Sequence, residues 1–193
     1  MARRTGAKGQ RRIEEILDAA EEILVEAGYG GLSMRGVADR LGLRLSHVQY
    51  YFDGPDALLE AIFDRSLTRS IEVFETRPKR EGIEAMVAFV LEDQLSASNC
   101  RMFFELWALA ARDDKANAVL ARYYARYQSY VESIVASEYP QAKPAQLKRC
   151  AVILMSLFEG LSLFRGVEGR IAVSRRELDK DIVKAVRAIV EQS

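Results

Sequence analysis

The apolar positions of the first forty residues fall into a helical pattern. Ile13, Ile16, Leu17, Ala20, Ile23, Leu24 and Ala27 recur at spacings of three and four, which places them on one face of an amphipathic helix. Residues 1–10 lack that pattern and read as a mobile tail. Gly28 suits a positive-φ stop after the helix, and Tyr29-Gly30-Gly31 reads as a turn. Ser33 has the chemistry of an N-cap, because its hydroxyl can accept from the open N–H groups of the next turn. A short helix is predicted over Met34–Leu41, ended by Gly42, and a third runs to about Phe52. Two short helices joined by a tight glycine-containing connection form a helix-turn-helix unit.

Asp53-Gly54-Pro55 breaks the pattern, and Pro55 suits the first position of a new helix. Helices are then predicted over about 55–76, 81–98, 101–112, 116–138, 144–166 and 174–191. Breaks fall at Thr76-Arg77-Pro78, Ser98-Asn99, Asp113-Asp114, Tyr139-Pro140 and 166–174. Every segment reads as helix, so the fold class is all-α with about nine helices. An N-terminal three-helix domain over 1–53 precedes a helical domain over 54–193.

Charge changes this picture. The chain of 193 residues carries 28 basic and 28 acidic side chains, a formal net charge of zero. Along the chain the balance is uneven. Arg3, Arg4, Lys8, Arg11 and Arg12 face no acid in the first twelve residues. Residues 13–32 hold Glu14, Glu15, Asp18, Glu21, Glu22 and Glu26 and no base. Arg35, Arg40 and Arg44 outweigh Asp39 over 33–52, and residues 54–193 are neutral. A surface that faces phosphates needs a local excess of this kind, although charge runs are also ordinary solvated faces.

Apolar residues make up 49% of the chain, ample for a core. Cys100 and Cys150 fit no metal-ligand spacing and read as buried free thiols of a cytoplasmic protein, without a redox role assigned. The basic N-terminus has no apolar core and is not a secretory signal. The most apolar stretch, 150–164, is interrupted by Glu159 and is too short to cross a bilayer, so no membrane partner is expected. A single histidine, no phosphate-binding glycine loop and no Cys/His cluster argue against an enzyme, and call for no cofactor and no metal.

The run Glu26-Ala27-Gly28-Tyr29-Gly30-Gly31-Leu32-Ser33-Met34-Arg35-Gly36-Val37-Ala38 resembles the start of the TetR-family DNA-binding domain. Leu41-Gly42-Leu43-Arg44-Leu45-Ser46-His47-Val48-Gln49-Tyr50-Tyr51-Phe52 resembles that family's turn and recognition helix, and 53–59 the start of its fourth helix. About fifty residues are covered. On a helical wheel Val48 and Phe52, with Leu45 nearby, fall opposite Ser46, His47 and Tyr50, which would then face a major groove. The resemblance implies DNA contacts from Ser33, Arg35, Arg44, Ser46, His47, Gln49, Tyr50 and Tyr51, with Leu45 on a thymine methyl or in the core. Arg3 and Arg4 would lie in a minor groove or remain disordered. Arg44 stands where the family often has a capping Ser or Thr, Gln49 where Tyr is common, and Pro55 where a phosphate-binding Lys is frequent. These departures bear on individual contacts and on operator sequence, not on the fold.

For residues 54–193 the resemblance implies effector binding and dimerisation. The helix over 147–164 is apolar around most of its circumference and so needs partners on two sides, whether as a buried central helix or against a second copy. Leu154, Leu157 and Leu161, with Ile182, Val186 and Ile189 of the last helix, are the interface candidates. Phe103, Trp107, Tyr123, Tyr127, Met155 and Phe158, with Glu159 as polar anchor, are the pocket candidates for a small, largely apolar effector. The implied function is a dimeric repressor that binds a palindromic double-stranded operator and is released by that effector, with helix 4 as the lever. The alternatives are a regulator that responds to no ligand and a helical scaffold protein, which would not need the groove-facing set.

Overall fold

The computed structural model describes residues 6–76, 82–165 and 173–192. The described residues form nine α-helices and no strand: α1 (Ala7–Ala27), α2 (Met34–Arg40), α3 (Leu45–Gln49), α4 (Pro55–Thr76), α5 (Gly82–Asp93), α6 (Ala97–Ala110), α7 (Asp114–Glu138), α8 (Pro144–Arg165) and α9 (Arg175–Gln192).

α1 buries all but the last residue of the predicted stripe: Ile13, Ile16, Leu17, Ala20, Ile23 and Leu24 are in the core, whereas Ala27, at the end of the helix beside the turn, is exposed. It begins at Ala7, within the segment expected to be a tail. Polar pairs extend it, Gln10 with Glu14, Arg11 with Glu15 and Arg12 with Glu15, each one helical turn apart. Gly28 ends it at φ 67°, and the N–H of Gly28 still donates to the Leu24 carbonyl. A Cβ at Gly28 would lie 2.8 Å from Glu105 Oε2, so glycine meets both a backbone and a space requirement there. Tyr29–Gly31 closes as one 3₁₀ turn, as the glycine pair suggests.

Two further boundaries differ from expectation. The predicted break at Ser98-Asn99 lies earlier, over 94–96, because Ser96 is the residue that caps α6: its Oγ accepts from the N–H of Asn99 at 3.3 Å. Three capping residues within four positions made the sequence ambiguous. The regular part of α3 ends at Gln49 and not near Phe52. The N–H groups of Tyr50 and Phe52 still reach Ser46 and Val48 carbonyls at 3.1 Å, so the chain stays wound while it turns.

Packing divides the chain into two compact units that do not follow chain order. One comprises residues 1–68 and 101–123, the other 69–100 and 124–193. In the first, the α1 stripe meets Val37 and Ala38 of α2, Val48, Phe52, and Leu58, Leu59, Ile62 and Phe63 of α4, with Met102 and Leu106 of α6. In the second, Met86, Val87 and Leu91 of α5, Val131 and Val135 of α7, Leu154 and Phe158 of α8, and Ile182 and Val186 of α9 form the core. Both cysteines are buried and unbridged. No helix among the described residues is long and apolar enough to cross a membrane.

Candidate nucleic-acid interface

Ser33 opens α2 in the role its chemistry suggested: its Oγ accepts from the N–H of Gly36 at 3.0 Å. Gly42, at φ 62°, turns the chain toward α3. Arg44 stands at the N-cap of α3 and gives no side-chain cap; its carbonyl accepts from the N–H of His47 at 2.9 Å.

α3 is anchored by one face. Val48 is fully buried and Phe52 nearly so, while Leu45 is half-buried. The opposite face leaves Ser46, His47, Gln49 and Tyr50 exposed, and Arg35 and Arg44 flank it in the open. Tyr51 packs on the core edge, its ring 4.9 Å from that of Tyr50 in an edge-on arrangement. The structure therefore gathers Ser33, Arg35, Arg44, Ser46, His47, Gln49 and Tyr50 as an accessible polar set around two short helices. Arg3 and Arg4 lie outside the described residues.

The acidic run of α1 has a purpose that charge counting did not show. Glu14, Asp18 and Glu21 converge on the buried guanidinium of Arg65 at 3.3, 2.7 and 2.6 Å. Glu22 and Glu26 receive Arg40 of α2 at 3.3 and 2.6 Å, and Glu15 pairs with Arg11 and Arg12. All six acids of this run thus have a cationic partner. The Arg40 guanidinium beside Glu26 holds that carboxyl below its usual range. Arg40 is exposed but engaged within the fold by Glu22 and Glu26, and Arg35 and Arg44 are the other exposed cations of the helix-turn-helix. Sequence reasoning missed Arg40 and Arg65 as structural cations, since nothing in their spacing links them to residues up to 51 positions away.

A second polar network ties the end of α1 to α4, α6 and α7 within the first unit. Glu105 accepts the N–H of Tyr29 at 3.3 Å, and the Tyr29 hydroxyl donates to Asp56 at 2.7 Å. Lys115 donates to the other Asp56 oxygen at 2.7 Å, and Arg122 pairs with Glu60 at 3.1 Å. Burial and the neighbouring Asp56 push the Tyr29 hydroxyl up to about 12, while Lys115, then Tyr29, hold Asp56 low.

The pocket candidates divide between the two units. Phe103 and Tyr123 close a triangle of rings with Phe63, at 5.3, 6.3 and 5.1 Å, and Trp107 stacks near Phe104 at 5.7 Å. Met155 and Phe158 are core residues of the second unit, with Tyr127 half-buried on its edge. Glu159 lies on the same α8 segment, and desolvation pushes its carboxyl up to about 7 against a hydrogen bond from Tyr124. Burial, then Glu159 and Tyr124, push the Tyr127 hydroxyl up, and burial, then Asp93 and Glu159, raise the Cys100 thiol. Gln94 donates to the Phe158 carbonyl at 2.6 Å while its own amide oxygen is buried without a partner. Asp93, Gln94 and Tyr124 thus join Glu159 and Tyr127 in a polar cluster. The sequence signalled only Glu159, as an acid inside an apolar helix.

Of the interface candidates, Leu154, Ile182 and Val186 fill the second unit's own core, and Leu157, Leu161 and Ile189 are half-buried. The first three have no surface left to offer. α8 instead presents Val152, Ile153, Leu163 and Phe164, each at least 43% exposed, with Ser156 and Gly160 between them on the same stripe. Among the described residues no group of three or more His, Cys, Asp or Glu side chains could hold a metal ion.

Comparison with known proteins returns one class. Residues 16–62 match the model for bacterial regulatory proteins of the tetR family, and residues 79–192 match that for the C-terminal part of BetI-type transcriptional repressors. An HTH-type transcriptional regulator from the dhlA 5′ region of Xanthobacter autotrophicus is 36% identical over 127 residues, 62% of this chain. The match spans 63% of that relative's length, less than two thirds of it. The HTH-type transcriptional regulator BetI of Burkholderia ambifaria is 28% identical over 83% of this chain and 86% of its own. A solved Rhodococcus structure assigned to the TetR family superposes with a TM-score of 0.79, covering 94% of this chain and 99% of the other at 20% identity. A transcriptional-regulator structure from Saccharomonospora viridis, solved in complex with choline, gives 0.65 at 16% identity, covering 94% and 96%.

Proposed function

The chain belongs to the tetR family of bacterial regulatory proteins and is a DNA-binding transcriptional regulator, not an enzyme; from that premise we propose that it is a cytoplasmic, dimeric repressor that reads a palindromic operator through α3. The observation that carries this reading is the two-sided character of α3. Val48 and Phe52 hold it to the core, and Ser46, His47 and Tyr50 stand clear on the other side. A recognition helix needs both faces. Ser46 and His47 can exchange hydrogen bonds with base edges, Arg35 suits a bidentate guanine contact, and Ser33, Arg44, Gln49 and Tyr50 suit phosphate or sugar. Tyr51 reaches phosphate only from its outer edge, and the Arg3/Arg4 tail supplies sequence-independent charge.

Two copies joined through the exposed stripe of α8 would present two recognition helices. Gly160 at the centre of that stripe has open space above it, which permits close approach of a second helix. The half-sites are then expected about 34–36 Å apart, one turn of DNA. Release follows when an effector favours a conformer whose recognition helices no longer match that spacing, through a coupling of typically about 1–3 kcal/mol. The desolvated carboxyl of Glu159, with Tyr124 and Tyr127 beside it, supports a small, largely apolar effector that carries a cationic or hydrogen-bonding group. Choline, bound by the Saccharomonospora viridis protein, is the first compound to try.

Selection of bound duplexes from a random DNA pool tests the reading. Enrichment of one palindrome, retained by a species of dimer mass, is expected. A pool that stays random would favour the scaffold alternative, and a palindrome indifferent to every compound tried would favour the regulator that responds to no ligand.

A further inference from the structure

Arg65 is the most heavily engaged cation described in the molecule. Its side chain is 7% exposed on α4, and it reaches three carboxylates and the Glu14 carbonyl of α1. Glu14, Asp18 and Glu21 stand at i, i+4 and i+7, so they share one face over two turns and aim at a single point. Without the guanidinium, those acids would lose the cation they share, and α1 would lose this polar tie to α4. A buried cation with a planar fork of donors is suited to holding such a set, and a Lys ammonium replaces its charge but not its fork.

α1 also carries α3, by way of α2: α2 packs against both helices, and Ile16, Ala20 and Ile23 of α1, Val37 of α2 and Val48 of α3 belong to one cluster of buried residues. α1 is further tied to α2 by Arg40 through Glu22 and Glu26. The helix-turn-helix is thus carried on α1, and α1 is fixed to α4 by Arg65.

We propose that Arg65 is a positioning residue for DNA recognition: by holding Glu14, Asp18 and Glu21 it sets the orientation in which α1 presents α3 to the operator. The inference rests on the recognition reading given above. It makes a distinction that a purely stabilising role does not. Phosphate contacts tolerate small misplacement, whereas base-edge contacts do not, so a misoriented α3 loses specific binding while non-specific binding persists.

The test uses the full chain, the palindrome it enriches from a random pool, and a scrambled duplex of the same length and composition. Arg65→Met, Arg65→Lys and the double change Asp18→Asn/Glu21→Gln are compared with wild type for affinity to both duplexes, helicity and melting. Arg65→Met is expected to lower the specific-to-scrambled affinity ratio by about tenfold or more, with scrambled affinity within about twofold, and Arg65→Lys to recover part of the ratio. The double change acts on partly exposed acids that leave the core intact, and it is expected to lower the ratio in the same direction. An unchanged ratio in folded Arg65→Met overturns the proposal. Should that variant not fold, an unchanged ratio in the double variant overturns it instead. A fall of both affinities in parallel with lost helicity also overturns it, since that is the mark of mere unfolding. A wild-type chain that enriches no palindrome defeats the recognition reading itself, a result distinct from any of these.

Discussion

The Tyr29 hydroxyl donates to Asp56 Oδ1 at 2.7 Å while Lys115 donates to the other oxygen of the same carboxylate, so the start of α4 is bound both to the turn after α1 and to α7. Tyr29→Phe is expected to cost about 1 kcal/mol, the usual worth of one such bond, read from chemical denaturation. The pH dependence follows from both partners. Asp56 is held low, so its contribution is present above the ordinary Asp range and is lost as pH falls through its lowered value. Its side chain is 40% exposed, so solvent screening limits that contribution to under about 1 kcal/mol. Tyr29 is raised to about 12, so stability is lost as pH climbs from 10 through that value. In Asp56→Asn the acid limb of the Tm profile flattens; an unaltered limb would contradict the ion pair.

Glu159 titrates in the other sense. Its folded value of about 7 lies above that of the unfolded chain, so the stability it confers is full below about 4.5 and lost as pH rises through 7. Glu159→Gln keeps a partner for Tyr124 and removes the charge. The variant is expected to match wild type in Tm at pH 5 and to exceed it at pH 8, by an amount on the order of a few kcal/mol in unfolding free energy. Equal profiles across that range would show a solvated carboxylate.

The two faces of α8 predict opposite phenotypes for neighbouring residues. Leu154 is fully buried in the second unit's core, and Leu154→Ala is expected to cost about 2–5 kcal/mol without changing the oligomeric state. Ile153 is 46% exposed on the outer stripe, and Ile153→Asp is expected to leave the monomer folded and shift light-scattering mass from dimer to monomer. A dimeric Ile153→Asp variant would move the proposed interface off α8.

Ser33 couples stability to recognition. Its Oγ caps α2 at Gly36, so Ser33→Ala is expected to cost about 1 kcal/mol in unfolding free energy. Ser33→Asn restores the cap but not the hydroxyl, so a hydroxyl that also touches phosphate is expected to make Ser33→Asn lose operator affinity about as much as Ser33→Ala; wild-type operator affinity in Ser33→Asn would leave the residue as a cap alone.

The helices were legible in the sequence wherever a stripe or a stop was unique. The α1 core positions, the Ser33 cap, Gly28 and Gly42 were each read from local chemistry, and so was the split of α3 into Val48 against Ser46, His47 and Tyr50. What could not be read depends on partners far along the chain. Charge segregation suggested a phosphate-facing surface and an acidic support, but the specific ties from α1 to Arg40 and Arg65 arise only when three helices meet. α8 shows the same limit. Its apolar circumference announced two partners, yet which leucines face inward is settled by packing, and Leu154 went to the core while Val152, Ile153, Leu163 and Phe164 stayed outside. Ser96, Ser98 and Asn99 are equivalent caps by composition, and only the fold selects Ser96.

The central claim, that the open face of α3 reads the operator, is tested most directly by fluorescence-anisotropy titration of the selected palindrome with wild type and with Arg35→Ala and His47→Ala. Each substitution removes an exposed side chain that no core contact needs, so folding and dimer mass should be unchanged. The account predicts a loss of specific affinity corresponding to about 1–3 kcal/mol for each, at constant salt and with scrambled-duplex affinity little altered for His47→Ala. Wild-type affinity for the palindrome in both variants would contradict it.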